Sequence, residues 1–203
     1  MARRSEHSQA EIREMILQAA KAIVEEDGVD ALKVRRVAAD IGYTVGTIYM
    51  LFDGLADVVL AVKGLVLDDL QHYLQTACNG VDDPEQSILV AAKAYLSFAS
   101  RNYHLWSLLF DRHHQYNQDV PPWYRQKVDA LFANIERMFR QMTPSAGEEQ
   151  VKQGARALWS GVHGVCVLSL TGALDSVGVD HIEKMLTLLV EDFLYGWRYR
   201  YQG

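Results

Sequence analysis

Apolar residues recur at three- and four-residue spacing along the chain, and no stretch sustains the period-two alternation of a half-buried strand. This pattern predicts an all-α fold of about nine helices. Start signals punctuate it. Ser8-x-x-Glu11 is a capping box for a first helix, and Asp53-Gly54 opens a fourth that runs to about Thr76. Asp83-Pro84-Glu85 sets an N-cap before a proline at the first helical position. Ser145-x-x-Glu148 and Asp180-x-x-Glu183 read as two further boxes, giving helices over about 147–171 and 180–200. Breaks fall at Asn79-Gly80, Arg101-Asn102, Asp119-Val120-Pro121-Pro122, Met142-Thr143-Pro144 and from Gly172 to Gly178. There is no internal repeat and no low-complexity segment.

Residues 34–52 depart from the long-helix pattern. Val34, Val37, Ala38 and Ile41 fall at helical spacing, Gly42 permits a tight turn, and Thr44 can cap a second short helix whose Ile48, Leu51 and Phe52 point inward. Val45, Gly46, Thr47 and Tyr49 are then left facing outward. Small and hydroxylated residues at the exposed start of a helix suit a segment that enters a DNA major groove roughly 12 Å wide. Residues 1–53 are therefore expected to form a helix-turn-helix DNA-binding domain of three helices, and 54–203 a larger helical domain for effector binding and dimerisation. For Tyr49 the competing expectation is a half-buried ring that braces the third helix.

Residues 12–60 resemble the TetR family of bacterial regulators. The resemblance rests on Arg13 with Ile16-Leu17-x-Ala19-Ala20, Gly28, Ala31-Leu32, Val37-Ala38, Gly42, Gly46-Thr47-Ile48-Tyr49 and Phe52 in one register. It implies a homodimer that reads a palindromic operator in double-stranded DNA. Arg35 would reach a guanine edge, Thr44 and Val45 would face bases, Thr47 and Tyr49 phosphates, and Tyr43 a stacking or backbone contact. Lys33 stands where the family has Thr or Ser, Leu51 where His is common, and Leu55 where a phosphate-binding Lys is usual. Lys33, Arg35 and Arg36 are the cations that could replace the lost charge.

Composition adds bounds. With 203 residues and 49% apolar content the chain can bury a substantial core. No apolar run reaches 18 residues and no apolar signal core follows the N-terminus, so a cytoplasmic protein without a membrane segment is expected. Cys78 and Cys166 stand far apart, as ordinary thiols do in a reducing compartment; a redox role for Cys166 competes with simple packing. The net charge is −6, and residues 1–60 hold seven Lys/Arg against ten Asp/Glu. Positive potential would have to concentrate on an arm at Arg3 and Arg4 and on Lys33, Arg35 and Arg36, which face only Asp40 between positions 33 and 52. Glu25-Glu26-Asp27 is an exposed acidic run at the end of the first helix.

Other chemistry finds little support. Asp111-Arg112-His113-His114 lacks the i, i+4 histidine pair that a helical metal site needs. No phosphate-binding glycine loop, nucleophile elbow or paired acid constellation is present, so neither an enzyme nor a cofactor or metal is expected.

The C-terminal half is apolar on two successive long helices. Gly161 and Gly164 with Leu186, Leu189, Phe193 and Trp197 are the candidates for a face shared with a second subunit. Trp159-x-x-x-His163-Gly164, with Tyr95 to Phe98 and Tyr103 to Phe110 upstream, is similar to the TetR-family subgroup named for a Trp-His-Gly motif. That likeness implies an effector cavity between the fourth and eighth helices, with Tyr95, Phe98, Trp106, Phe110, Trp159 and His163 as candidates. For each aromatic, and for His163, core packing is the competing expectation. Scarce charge there favours a small apolar or amphipathic effector. The expected function is a ligand-responsive repressor. An activator or corepressor-dependent regulator, and a small-molecule-binding protein with a degenerate reading head, both use the same parts.

Overall fold

A computed structural model of the chain describes residues 7–112, 120–174, 176, 178 and 181–201. Nine α-helices lie among them, and no strand. They are α1 (Gln9–Asp27), α2 (Val34–Asp40), α3 (Val45–Tyr49), α4 (Leu55–Ala77), α5 (Pro84–Arg101), α6 (Tyr103–Leu108), α7 (Pro122–Met142), α8 (Glu148–Leu170) and α9 (Ile182–Tyr201), with a 3-10 turn at Val29–Ala31 between α1 and α2. Arg3, Arg4, His113, His114, Asp119 and Asp180 lie outside the described residues.

Two compact units divide the chain. The first holds α1 to α3, α4 up to Leu67, and α6; the second holds α4 from Asp68, α5, and α7 to α9. Position 53/54, the expected domain boundary, falls within the first of these units. α6 packs on α1, where His104 Nδ1 lies 3.0 Å from the Glu25 carbonyl, so the first unit extends well past residue 53.

In the first unit, α1 begins as its sequence predicts. The Ser8 hydroxyl accepts from Glu11 N at 3.2 Å, and the Glu11 carboxylate accepts from Ser8 N at 2.6 Å. The Ser8 backbone N–H, and after it the Ser8 hydroxyl, hold the exposed Glu11 carboxyl below its ordinary range. Ile12, Ile16, Ala20, Ile23 and Val24 form the buried stripe. α1 stops where Gly28 turns to φ +80°, a conformation that favours glycine. α4 contributes Val58, Val59, Val62 and Val66 to burial. Lys63 is buried beside them, its ammonium donating to the Asp111 carbonyl at 2.9 Å, and desolvation pulls its pKa down.

In the second unit, α8 packs against α7, α9 and α5, and α5 also touches α7 and α9. Phe139 stands edge-on to Trp197 with centroids 5.0 Å apart, and Trp197 Nε1 donates to Thr143 Oγ1 at 2.8 Å. The buried Glu136 carboxylate is compensated by Arg156 at 2.8 Å and Arg140 at 3.4 Å. The expected Ser145 capping box does not form. Gly147 is the N-cap of α8, its N–H donating to Gln150 Oε1 at 2.6 Å, while the Ser145 hydroxyl donates to the Tyr201 carbonyl. Pro144 follows Thr143, whose hydroxyl still bonds back to Phe139 O, so the chain is leaving α7 at Ser145 and enters α8 two residues later than the motif suggests.

Candidate nucleic-acid interface

α2, the turn and α3 adopt the expected helix-turn-helix. Gly42 takes φ +73°, and Tyr43 N donates to Ala38 O at 2.9 Å across the turn. Thr44 Oγ1 accepts from Thr47 N at 3.3 Å and caps α3. Val37, Ala38, Ile48 and Phe52 are buried, which fixes α3 against α2.

The outward set is sharper than periodicity suggests. Gly46, Tyr49 and Met50 are exposed, Tyr49 at 58% and Met50 at 73%, whereas Val45 and Thr47 are half-buried. Exposure removes the bracing role weighed for Tyr49. Tyr43 is half-buried, its hydroxyl 2.8 Å from His7 Nδ1.

Charge is distributed differently from the expectation. Arg36 Nη1 lies 2.6 Å from Asp27 Oδ2 and Nη2 3.9 Å from Glu26 Oε2, so the acidic end of α1 reaches the cation cluster. The hydrogen bond to Asp27 raises the pKa of the Arg36 guanidinium. Lys33 and Arg35 remain exposed on the approach to α2 and on α2 itself.

One positioning residue carries more than its motif role. Arg13 on α1 donates to the Leu51 carbonyl at 3.1 Å and lies over the Phe52 ring at 4.2 Å, bracing the end of α3. Its place in the family pattern pointed to it; the i to i+38 contact did not.

The candidate effector residues fall into two groups. Tyr95, Phe98, Trp159 and His163 belong to the second unit, Trp106 and Phe110 to the first. In the second unit His163 stacks on Trp159 at 5.1 Å, its Nδ1 is 3.0 Å from the Tyr95 hydroxyl, and Phe132 meets Trp159 edge-on. Burial lowers the His163 pKa, because desolvation disfavours the charged ring. Phe98 packs edge-on to Tyr73. In the first unit Trp106 is buried and meets the exposed Phe110 at 5.4 Å. Sequence reasoning missed a crevice of about 270 Å³ between the end of α4, α5 and α7, lined in part by Leu74, Cys78, Ser87, Leu131, Asn134 and Met138.

The candidate dimer residues also divide. Leu186 and Trp197 are buried within the protomer, Trp197 edge-on to Phe139 of α7, so neither side chain lies on the protomer surface. Leu189 and Phe193 are half-buried, with Leu189 against Gly161. Among the described residues nothing lies within 4 Å of a Cβ built on Gly164. Leu168 on α8 and Leu188, Tyr195 and Tyr199 on α9, which the sequence pattern did not single out, are exposed. Positions 188, 195 and 199 share a face by spacing, on a different side from the 186, 190, 194, 197 stripe.

An exposed short helix capped after a glycine turn, on a scaffold with no strand among the described residues, defines a helix-turn-helix DNA-binding protein. The profile of bacterial regulatory proteins, tetR family, matches residues 16–62, and that of the tetracyclin repressor-like C-terminal domain matches 88–193. The second covers more than half of the chain, which belongs to the TetR family of transcriptional regulators. An uncharacterised HTH-type transcriptional regulator of Mycobacterium tuberculosis is 27% identical over 170 residues, 84% of this chain and 75% of that one.

Two solved structures share the fold. A protein of unknown function from Rhodococcus sp. RHA1 has a TM-score of 0.74 and 21% identity, covering 98% of each chain. The FadR regulator of Bacillus subtilis, solved with stearoyl-CoA, has a TM-score of 0.66 and 12% identity over 89% of this chain and 96% of its own. The family is one of transcription regulators rather than enzymes, whose members bind operators and small-molecule effectors. Among the described residues no helix is long and apolar enough to cross a membrane, and no group of three His, Cys, Asp or Glu could hold a metal.

Proposed function

We propose that this regulator is a homodimeric, cytoplasmic repressor that leaves a palindromic operator when a small apolar or amphipathic effector binds its C-terminal domain. The observation that carries the reading is the exposed face of α3 beside the exposed cations Lys33 and Arg35. Arg35 reads a guanine edge, Thr44 and Val45 face bases, and Thr47, Tyr49 and Tyr43 contact the backbone; Arg36 serves mainly to hold α2 to α1. Two heads on a two-fold axis read half-sites about one helical turn, ~34 Å, apart.

Dimerisation is supported by the uncovered apolar side chains of Leu168, Leu188, Tyr195 and Tyr199 and by the open approach at Gly164. The effector reading is supported by the aromatic group of Tyr95, Phe132, Trp159 and His163, and by the long-chain acyl ligand of the B. subtilis neighbour. α4 is the element through which the two units communicate, since its sequence is shared between them. Moving the DNA-competent population from 99:1 to 1:99 requires the effector to prefer the released form by ~5.5 kcal/mol.

Selection of the purified protein on random duplexes at two salt concentrations tests this reading. An enriched palindrome with steep salt dependence, released by a fatty acid or acyl thioester, is the expected outcome. A site enriched only when a small molecule is added would make the protein corepressor-dependent. No enrichment in either condition would mean a degenerate head, to which Leu51 and Leu55 would then be the pointers.

A further inference from the structure

The outward face of α3 carries no charge. Gly46, Tyr49 and Met50 occupy it, turned away from the buried Ile48, beside which the half-buried Val45 lies. Met50 is 73% exposed, so packing does not explain a large apolar side chain there. Gly46, one turn before it, is equally unexplained by the fold. Its backbone is not in the left-handed region, and a Cβ built on it meets only Thr44 Oγ1 at 3.6 Å, an ordinary contact. A glycine inside a helix costs about 1 kcal/mol relative to alanine. Neither backbone conformation nor packing within the protein requires it, which leaves close approach of something from outside.

In a major groove Met50 has narrow chemistry. A thioether donates no hydrogen bond and accepts only weakly, so it serves neither a phosphate nor the acceptors on guanine. The apolar group that the groove offers is the thymine C5 methyl. We infer that the operator half-site is read in part through thymine methyl groups, with Met50 as a specificity-determining residue and Gly46 as the gap that lets the base edge approach. This rests on α3 being the DNA-reading helix. It assigns to the apolar face the discrimination of thymine from cytosine, which lacks that methyl.

The test replaces each thymine of the selected duplex in turn by deoxyuridine, deleting only the methyl. At one or more positions per half-site the affinity should fall about fourfold, the effect of one buried methyl group. Met50→Ala should lose a similar factor on the parent duplex and become indifferent to uridine at that position while remaining sensitive at others. Gly46→Ala should weaken binding without lowering the melting temperature. Because Met50 is exposed, its truncation leaves the core intact, and circular dichroism checks this. Uridine tolerated everywhere, or a Met50→Ala protein that keeps every uridine penalty, overturns the inference alone. Failure to select any duplex, with or without effector extract, overturns the reading-head assignment and this inference with it.

Discussion

Gly154→Ala is the substitution whose cost the structure fixes best. A Cβ on Gly154 would stand 2.5 Å from Trp197 Cζ3, 2.8 Å from Cη2 and 3.0 Å from Cε3, where carbon pairs are comfortable at roughly 3.5–4.0 Å. The indole cannot swing aside cheaply. Its Nε1 donates to Thr143 Oγ1 at 2.8 Å, that hydroxyl is itself tied to Phe139 O, and the ring lies between Phe139 at 5.0 Å and Tyr201 at 4.4 Å. α8 and α9 must therefore separate, or Trp197 must give up its hydrogen bond. Overpacking costs ~1–3 kcal/mol, and a rigid neighbour places it near the upper end; alanine returns about 1 kcal/mol of helix propensity. A net loss of about 2 kcal/mol lowers the melting temperature by roughly 4–8 °C for a chain of this size. Thermal and urea denaturation followed by circular dichroism read it, at one protein concentration because a dimer's stability depends on it. Gly196→Ala on α9 is the control, gaining propensity with nothing beyond its own stretch of helix within 4 Å of the added Cβ. Equal stability of the two variants would refute the packing argument.

Thr44→Ala removes the α3 cap, worth ~1 kcal/mol locally, and should weaken DNA binding more than global stability, whereas Thr44→Ser should retain both; gel shift beside thermal melting checks this. The His163 pKa is lowered by burial from its ordinary value of 6.5, so the unfolded chain takes up the proton more readily. That contribution to stability is fully present above pH 6.5 and is lost as pH falls through the depressed folded value. Denaturation midpoints measured down the acid range should fall less steeply for His163→Gln. Burial pushes the Cys166 thiol up to about 12, so iodoacetamide at about pH 8 should leave it unmodified until urea opens the fold. Rapid labelling in the native protein would revive the redox role weighed against packing.

Local signals were legible in the chain itself. Ser8, Thr44, Asp83 and the turn glycines act on neighbours within four residues, so helix starts, the helix-turn-helix and the all-α class follow from sequence spacing alone. Even there Ser145 misled, because a capping motif is only an option that the backbone need not take. Which apolar stripe of α9 faces inward was not legible: Leu186 and Trp197 were as plausible a subunit face as Leu188, Tyr195 and Tyr199, since hydrophobicity marks a residue for burial without naming its partner. The pairing of Arg36 with Asp27, the tether from Arg13 to Leu51 and the stacking of His163 on Trp159 are likewise contacts made by tertiary packing. Periodicity fixes which side of a helix avoids water; only the assembled fold decides which charges remain free to meet DNA.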